Sequence, residues 1–203
     1  GARQGLGIYI LQAKNNFRAD LVLSAVVVSA CLTLGLLAAL RLLTERGTKF
    51  RISVLGEQFR TTPEAFLAVK AEFEANIVQW GYVESRQGYL DALALGDVFV
   101  STALHEFFGL AAAEAIAAGL RPVLPNRLAY PELIELLGAE TNVLYEVVEG
   151  NEAEMLARML IDIARVRTTG GAWQLSAASH LAFAEKLAWP QRVRSMDDRL
   201  EQL

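Results

Sequence analysis

Cysteine, histidine and proline are scarce in this 203-residue sequence, which contains one cysteine, two histidines and five prolines. The single cysteine, Cys31, excludes an internal disulfide framework and a cysteine-based zinc site, and it fits a reducing compartment such as the cytoplasm. The low proline content and the 21% share of charged residues exclude disordered and collagen-like chains. The formal net charge is −4, so the chain lacks the basic excess that nucleic-acid binding through phosphates alone requires.

Hydrophobic residues are abundant, at 53% of a chain long enough for one full domain or one domain plus a partial one. Charge is distributed unevenly along this chain. Residues 1–50 carry six Lys/Arg and two Asp/Glu, whereas residues 51–203 carry 13 Lys/Arg and 21 Asp/Glu. We therefore treat residues 1–35 as an atypical apolar segment and residues 36–203 as one folded domain.

The segment Leu21–Leu40 is an uncharged run of twenty residues, which is long enough to cross a membrane as a helix. Three Lys/Arg precede the run and three follow it, so the positive-inside rule gives no orientation. A buried strand, LVLSAVVV, that leads into a buried helix would produce the same pattern. We expect this segment to be part of a globular core, and a membrane anchor is the alternative.

Strand and helix patterns alternate along the rest of the chain. The predicted strands are 50–56, 76–83, 97–103, 121–125 and 142–147. The predicted helices are 36–46, 63–75, 85–95, 109–118, 131–137, 151–166, 172–187 and 190–203. This order predicts an α/β fold with an open parallel sheet and helices on both faces, in which ligands bind outside the carboxyl ends of the strands.

The segment HEFFGLAAAEAIAAG, residues 105–119, follows a predicted strand and opens a helix. It contains Glu106 and Glu114, with seven residues between them. Glu114 lies among alanines in a helix that the sequence makes small and apolar on every side, where a carboxylate is costly unless it is paired. The two hydroxyls of a ribose would be suitable donors to it. The alternative is that Glu106 stabilises the helix dipole and that Glu114 forms an ordinary ion pair.

The start of this helix has the features of an anion site. Gly109 lets a ligand approach the backbone closely, and the amides of Phe108, Gly109 and Leu110 lie at the positive end of the helix dipole. These amides predict a site for an anion such as a diphosphate. Glu106, just before the turn, would then face the next group of the ligand.

The stretch 54–134 resembles the C-terminal, donor-binding, Rossmann-like domain of retaining GT-B glycosyltransferases that carry two glutamates separated by seven residues. The segments that carry the resemblance are VLGEQF, IVQWGYVES and DVFVSTALHEFFGLAAAEAIAAGLRPVLPNRLAYPELI. More narrowly, WGYVESRQGYL, STALHEFFG and LPNRLAYPEL are similar to tRNA-queuosine mannosyltransferase-like enzymes. Those enzymes transfer mannose from GDP-mannose to the queuosine base in a tRNA anticodon.

The resemblance implies a role for each matching residue. It places Glu114 on the ribose of the donor nucleotide and Glu106 on the donor hexose. The other implied donor contacts are Phe108, Gly109, Leu110, Gly81, Tyr82, Val83, Gly56 and Glu57. It also implies retention of anomeric configuration by front-face attack without a metal or another cofactor, because helix dipoles and basic side chains stabilise the leaving diphosphate.

Four further residues carry separate expectations. His105 lines the donor cleft beside the reacting carbon or forms a hydrogen-bonded cap after the strand. Arg127 and Tyr130 are either cleft residues or loop anchors. His180, far from any motif, is expected to be structural.

Complete members of the family also have an N-terminal half that binds the acceptor and a block with an Arg and a Lys for the diphosphate. We expect 203 residues to leave no room for that half, and residues 1–35 show nothing that aligns with the block. The resemblance thus predicts a cytoplasmic hexosyltransferase that acts on GDP-mannose and tRNA. The alternatives are a nucleotide-sugar-binding fragment without turnover and a membrane-anchored transferase with a lipid acceptor.

Overall fold

The computed structural model describes residues 35–55, 64–104, 106–138, 143–171 and 174–187. Helices and strands alternate through these residues. In chain order they are α1 (35–45), β1 (Ile52–Leu55), α2 (Glu64–Glu72), β2 (Ile77–Gly81), α3 (Arg86–Ala94), β3 (Val98–Val100), α4 (Leu110–Ala117), β4 (Arg121–Pro125), α5 (Tyr130–Leu137), β5 (Leu144–Tyr145), α6 (Glu152–Thr168) and α7 (Ala177–Leu187).

The described strands pair in parallel, in two groups. β1 pairs with β2, with Val54 opposite Trp80. β3, β4 and β5 form the second group, with β4 in the middle. Parallel pairing requires a crossover between successive strands, and the intervening helices provide it.

Helices cover both faces of the sheet, as two neighbouring residues of β4 show. Val123 and Leu124 are fully buried and, as successive strand residues, point to opposite faces. Val123 packs with Ala39 of α1 and Leu156 of α6, whereas Leu124 packs with Phe183 of α7. The predicted open parallel sheet with helices on both faces is confirmed.

Most element boundaries follow the predicted local signals. α5 has proline in its first turn and ends at Gly138, which adopts the left-handed conformation. α3 begins after Ser85, whose side chain accepts a hydrogen bond of 3.0 Å from the amide of Gly88. α1 ends before Gly47, which has a φ of 69°.

Several boundaries differ from the prediction; the predicted strand 97–103, for example, is reduced to β3, and the predicted helix 63–75 to α2. The predicted helix 172–187 begins at Ala177, because the side chain of Ser176 accepts a hydrogen bond of 3.0 Å from the amide of Ser179 and so caps the helix there. The described part of the predicted strand 142–147 is reduced to β5, whose carboxyl end falls opposite Pro125, the last residue of β4.

Part of the long apolar run falls within the described residues. Residues 35–40 open α1, where Leu37 and Leu40 are buried against Ile52 and Trp80. Residues 21–34, like the predicted helix 190–203, lie outside the described residues. Within the described residues, no helix is long and apolar enough to cross a membrane.

Candidate functional site

The candidate site lies around the starts of α3 and α4, which follow β2 and β3. Of the predicted site residues, Leu110 and Glu114 lie in α4, and Glu106, Phe108 and Gly109 lie just before it. An ion pair joins the two helices directly, since Arg86 Nη1 at the start of α3 lies 2.8 Å from Glu114 Oε1 in α4. The site therefore has the position expected of a ligand site in a parallel α/β sheet.

Glu106 closes the turn that leads into α4, and we call residues 106–109 the cap. Its Oε1 accepts hydrogen bonds from the amides of Phe107, Phe108 and Gly109, at 3.0, 3.2 and 3.0 Å. These amides precede the first residue of α4, and hydrogen bonds from backbone N–H groups to a carboxylate are stronger than those between neutral groups. Two of the three amides predicted to hold an anion thus hold one here, and the anion is the protein's own carboxylate.

Gly109 sets the shape of this cap. It has a φ of 64° and precedes the first residue of α4, a conformation that residues with a Cβ adopt at a cost. A Cβ on Gly109 would also lie 3.3 Å from Leu133 and 3.5 Å from the ring of Tyr130. The turn is therefore pressed against α5, and this packing limits the position to glycine.

Glu114 lies on the exposed side of α4, which corrects the expectation of a helix that is apolar on every side. Its side chain is 37% exposed, whereas Ala112, Ala115 and Ile116 form the buried face. The carboxylate is paired with Arg86, and it also accepts a hydrogen bond from Tyr89 of α3. Its remaining exposure makes it accessible to hydroxyl donors from a ligand.

Both glutamates also have the features of the non-functional alternative. Glu106 stabilises the start of a helix, and Glu114 forms an ion pair. Neither arrangement excludes ligand binding, because the three amide contacts of Glu106 use Oε1 and the partner of Glu114 is an exposed arginine. Both glutamates therefore combine a structural contact with accessibility to a ligand.

Three apolar side chains around the cap are exposed. The exposed fractions of Phe107, Phe108 and Leu110 are 76, 64 and 69%. Exposed apolar groups that lie together beside a polar site indicate a surface for a ligand or a partner. The cap therefore combines a charged group with an apolar rim.

The end of β2 contributes a second group of predicted residues. Gly81 is buried and has a φ of 112°, Tyr82 is exposed, and Val83 is half-buried. Val83 lies close to Gly88, where an added Cβ would be 3.1 Å from it. This packing fixes the turn that places Arg86 beside Glu114.

Arg127 and Tyr130 are loop anchors. Tyr130 OH lies 2.7 Å from Ser101 Oγ, and its ring packs against Gly109. Arg127 donates to the carbonyl of Ala103 at 3.0 Å and forms an ion pair with Glu152. The structure thus favours the anchor reading for both residues.

Several predictions fall outside these contacts. His105, Gly56 and Glu57 lie outside the described residues. His180 is buried and its Nδ1 lies 2.7 Å from the carbonyl oxygen of Ile116, which agrees with a structural role. Among the described residues, no group of three or more His, Cys, Asp or Glu side chains could hold a metal ion.

Sequence reasoning missed Arg86, Tyr89 and Glu152. A signal for Arg86 was present, because a cation in the first turn of a helix opposes the helix dipole and requires a nearby anion. Glu152 offered no such signal, since an acidic residue is ordinary in a first turn. Tyr89 likewise has a common position in an amphipathic helix.

The environment of Tyr89 makes the stability of the protein sensitive to alkaline pH. Burial, followed by its hydrogen bond to Glu114, raises the pKa of Tyr89 from 10.0 to about 12. A raised pKa contributes stability that is complete below pH 10 and is lost as the pH rises from 10 to 12. Tyr89→Phe should therefore reduce the fall in unfolding free energy over that interval, as measured by urea denaturation. An equal fall in the variant and the parent would contradict this assignment.

Known proteins match the part of the chain that contains the site. The family model for glycosyl transferases group 1 matches residues 33–165. Over 91 residues, the chain is 41% identical to tRNA-queuosine alpha-mannosyltransferase of Drosophila melanogaster. That match covers 45% of this chain and 24% of the relative, so the chain spans about a quarter of the relative's length.

Proposed function

We propose that this chain, which belongs to the glycosyl transferases group 1 family, binds a nucleotide-sugar donor for hexosyl transfer. The observation that carries the proposal is the turn before α4, where Glu106 accepts hydrogen bonds from three amides, together with Glu114 one turn into the helix. Both carboxylates are accessible, and hydroxyl groups of a sugar or ribose are suitable donors to them.

The cap suggests how a diphosphate would bind. Phosphate oxygens accept hydrogen bonds from helix-start amides as a carboxylate does. A donor diphosphate that replaced Oε1 of Glu106 at Phe108 and Gly109 would release the carboxylate toward the hexose hydroxyls. In this proposal the amides, including that of Leu110, stabilise the charge that develops on the leaving diphosphate, without a metal.

The nucleoside would lie between α3 and α4. Glu114 would accept the ribose hydroxyls after Arg86 moves aside, which costs little because exposed ion pairs contribute about 0–1 kcal/mol. The base would lie beside Gly81, Tyr82 and Val83, where the exposed ring of Tyr82 offers an apolar face.

Three residues outside the described part of the chain complete the proposed site. Gly56 and Glu57 would border the diphosphate, and His105 would line the cleft beside the reacting carbon. Attack on the same face that the diphosphate leaves would retain the anomeric configuration.

Mannose from GDP-mannose is the proposed donor group, and queuosine in tRNA is the proposed acceptor. The support is the relative named tRNA-queuosine alpha-mannosyltransferase, at 41% identity over 91 residues. Residues 51–203 carry 13 Lys/Arg and 21 Asp/Glu, so a tRNA would depend on basic groups contributed by an acceptor-binding half. A cytoplasmic location suits this acceptor.

A second candidate is a binding module that holds the nucleotide sugar without transferring it. The match covers 24% of the relative's length, so transfer by this chain is a separate proposal from donor binding. The two candidates share the donor site and differ only in turnover.

Calorimetric titration of the chain with GDP, UDP and GDP-mannose tests the shared site. We expect GDP and GDP-mannose to bind and UDP to bind more weakly. Absence of binding to all three nucleotides would overturn the proposed function. An assay of mannose transfer to queuosine-containing tRNA would then separate the enzyme from the binding module.

A further inference from the structure

We propose that Arg127 is a positioning residue that holds the loop between β3 and α4 in the shape that presents Glu106 and the adjacent amides to the donor. The role in donor binding rests on the proposed function. The positioning itself is a property of the ligand-free chain and can be tested without a ligand.

Arg127 connects three parts of the molecule. Its Nε donates to the carbonyl oxygen of Ala103 at 3.0 Å, and its Nη2 donates to that of Thr102 at 3.4 Å. Nη2 also lies 2.9 Å from Oε1 of Glu152 at the start of α6. The arginine side chain is only 19% exposed, so these contacts are largely shielded from water.

The two carbonyl groups lie immediately before the cap. Ala103 precedes Glu106 by three residues, and its amide donates to Ser101 Oγ at 3.1 Å. The loop is therefore held at its amino end by Ser101 and Arg127, and at its carboxyl end by Glu106 and Gly109. Loss of the arginine contacts would release the segment that carries Glu106.

The backbone beside Arg127 is strained in a way that supports this role. Leu128 has a φ of 60°, which is unusual for a residue with a side chain. The amide of Arg127 donates to the carbonyl of Pro125 at 2.7 Å and tightens the same turn. Strain of this kind persists only where surrounding contacts enforce it. The hydrogen bonds and ion pair of Arg127, the preceding residue, are such contacts.

The arrangement requires the several N–H donors of an arginine guanidinium, not only a positive charge. A guanidinium presents several N–H groups in fixed directions and can bind two carbonyls and a carboxylate together. A lysine ammonium at this position would retain the attraction to Glu152. It could not form the same set of hydrogen bonds to the two carbonyl groups. Arg127→Lys therefore removes the contacts that shape the loop while it keeps the positive charge.

The first test is amide hydrogen exchange in the ligand-free chain. For Arg127→Ala and Arg127→Lys, we expect exchange at Phe107, Phe108 and Gly109 to accelerate at least about tenfold, because the cap opens locally more often. Amides in the middle of α4 should keep their parental rates. Unchanged rates at the three cap amides in both variants would overturn the proposal.

The second test compares ligands by calorimetry. Arg127→Lys should lose more affinity for GDP-mannose than for guanosine, because guanosine lacks the diphosphate and hexose that reach the loop. If the role of Arg127 were merely structural, the affinity for both ligands would fall equally, and that result would also overturn the proposal. If the parent chain binds neither ligand, the proposed function fails, while hydrogen exchange still decides the positioning.

Arg46→Ala provides a matched control. Arg46 lies 2.6 Å from Glu154, so it also pairs with a glutamate in the first turn of α6. Among the described residues, it makes no hydrogen bond or ion pair with the loop between β3 and α4. We expect this variant to keep the parental exchange rates at the cap and the parental ratio of the two affinities.

Discussion

Replacement of Glu114 by alanine is expected to weaken GDP binding about 10- to 100-fold, because hydrogen bonds to a charged group contribute about 1.5–3 kcal/mol. The carboxylate is positioned by Arg86 and Tyr89 and remains 37% exposed, so ribose hydroxyls can reach it. Calorimetric titration of the variant and the parent with GDP measures the loss. Parental GDP affinity in Glu114→Ala would show that Glu114 does not bind the ribose.

The same substitution should leave the stability of the fold nearly unchanged. The ion pair between Arg86 and Glu114 is exposed, and such pairs contribute about 0–1 kcal/mol. Thermal unfolding of the variant therefore controls for indirect loss of binding. A large fall in melting temperature would instead assign Glu114 a structural role.

Glu72→Ala is a matched control for this experiment. Glu72 forms a comparable exposed ion pair with Arg41, at 2.6 Å, and lies on α2 outside the candidate site. The hydrogen bond from Arg41 and the charge of its guanidinium lower the pKa of Glu72. Removal of this pair should alter neither GDP affinity nor stability appreciably. Glu114→Gln, which keeps one acceptor oxygen, should bind GDP with intermediate affinity.

The alternation of strands and helices could be predicted because its signals are local. α5 shows this most clearly, since proline in its first turn and Gly138 at its end define the helix from neighbouring residues alone. The later start of α7 was missed because Ser176 stands between Leu175 and Ala177, in a stretch whose composition is also compatible with a helix. The cap forms only where its side chain meets the amide of Ser179.

The candidate site was predicted in outline but not in its contacts. The positions of Glu106 and Glu114 followed from a motif within one segment. The partners of Glu114 lie on another helix, and no periodicity links Arg86 to a residue 28 positions later. The exposure of Glu114 was misjudged because the composition of α4 does not show which side of the helix is left uncovered by the other described elements.

The two readings of Arg127 and Tyr130 could not be separated from the sequence for a similar reason. Both residues act on the loop after β3, which is more than twenty positions earlier in the chain. Polar residues in a loop can face a cleft or bind a neighbouring loop, and only the packing of α5 and α6 decides between these orientations. Their contacts nevertheless determine the shape of the predicted site.

Replacement of Gly109 by alanine is expected to destabilise the fold by about 2–4 kcal/mol and to weaken GDP-mannose binding. About 1–2 kcal/mol arises from the left-handed conformation at a φ of 64°. The remainder arises from overpacking against Leu133, since the new Cβ would lie 3.3 Å from its side chain. Urea denaturation measures the first effect, and calorimetry measures the second.

Gly138→Ala is a control that measures the destabilisation caused by the left-handed conformation alone, at a position outside the site. Gly138 has a φ of 65°, and no atom lies within 4 Å of the position of an added Cβ. This variant should lose only about 1–2 kcal/mol and should bind GDP-mannose like the parent. Equal destabilisation in the two variants would show that the contact with α5 does not constrain Gly109. Parental affinity in Gly109→Ala would show that the donor does not depend on the cap, because the substitution must displace either the turn or the side chains that support it.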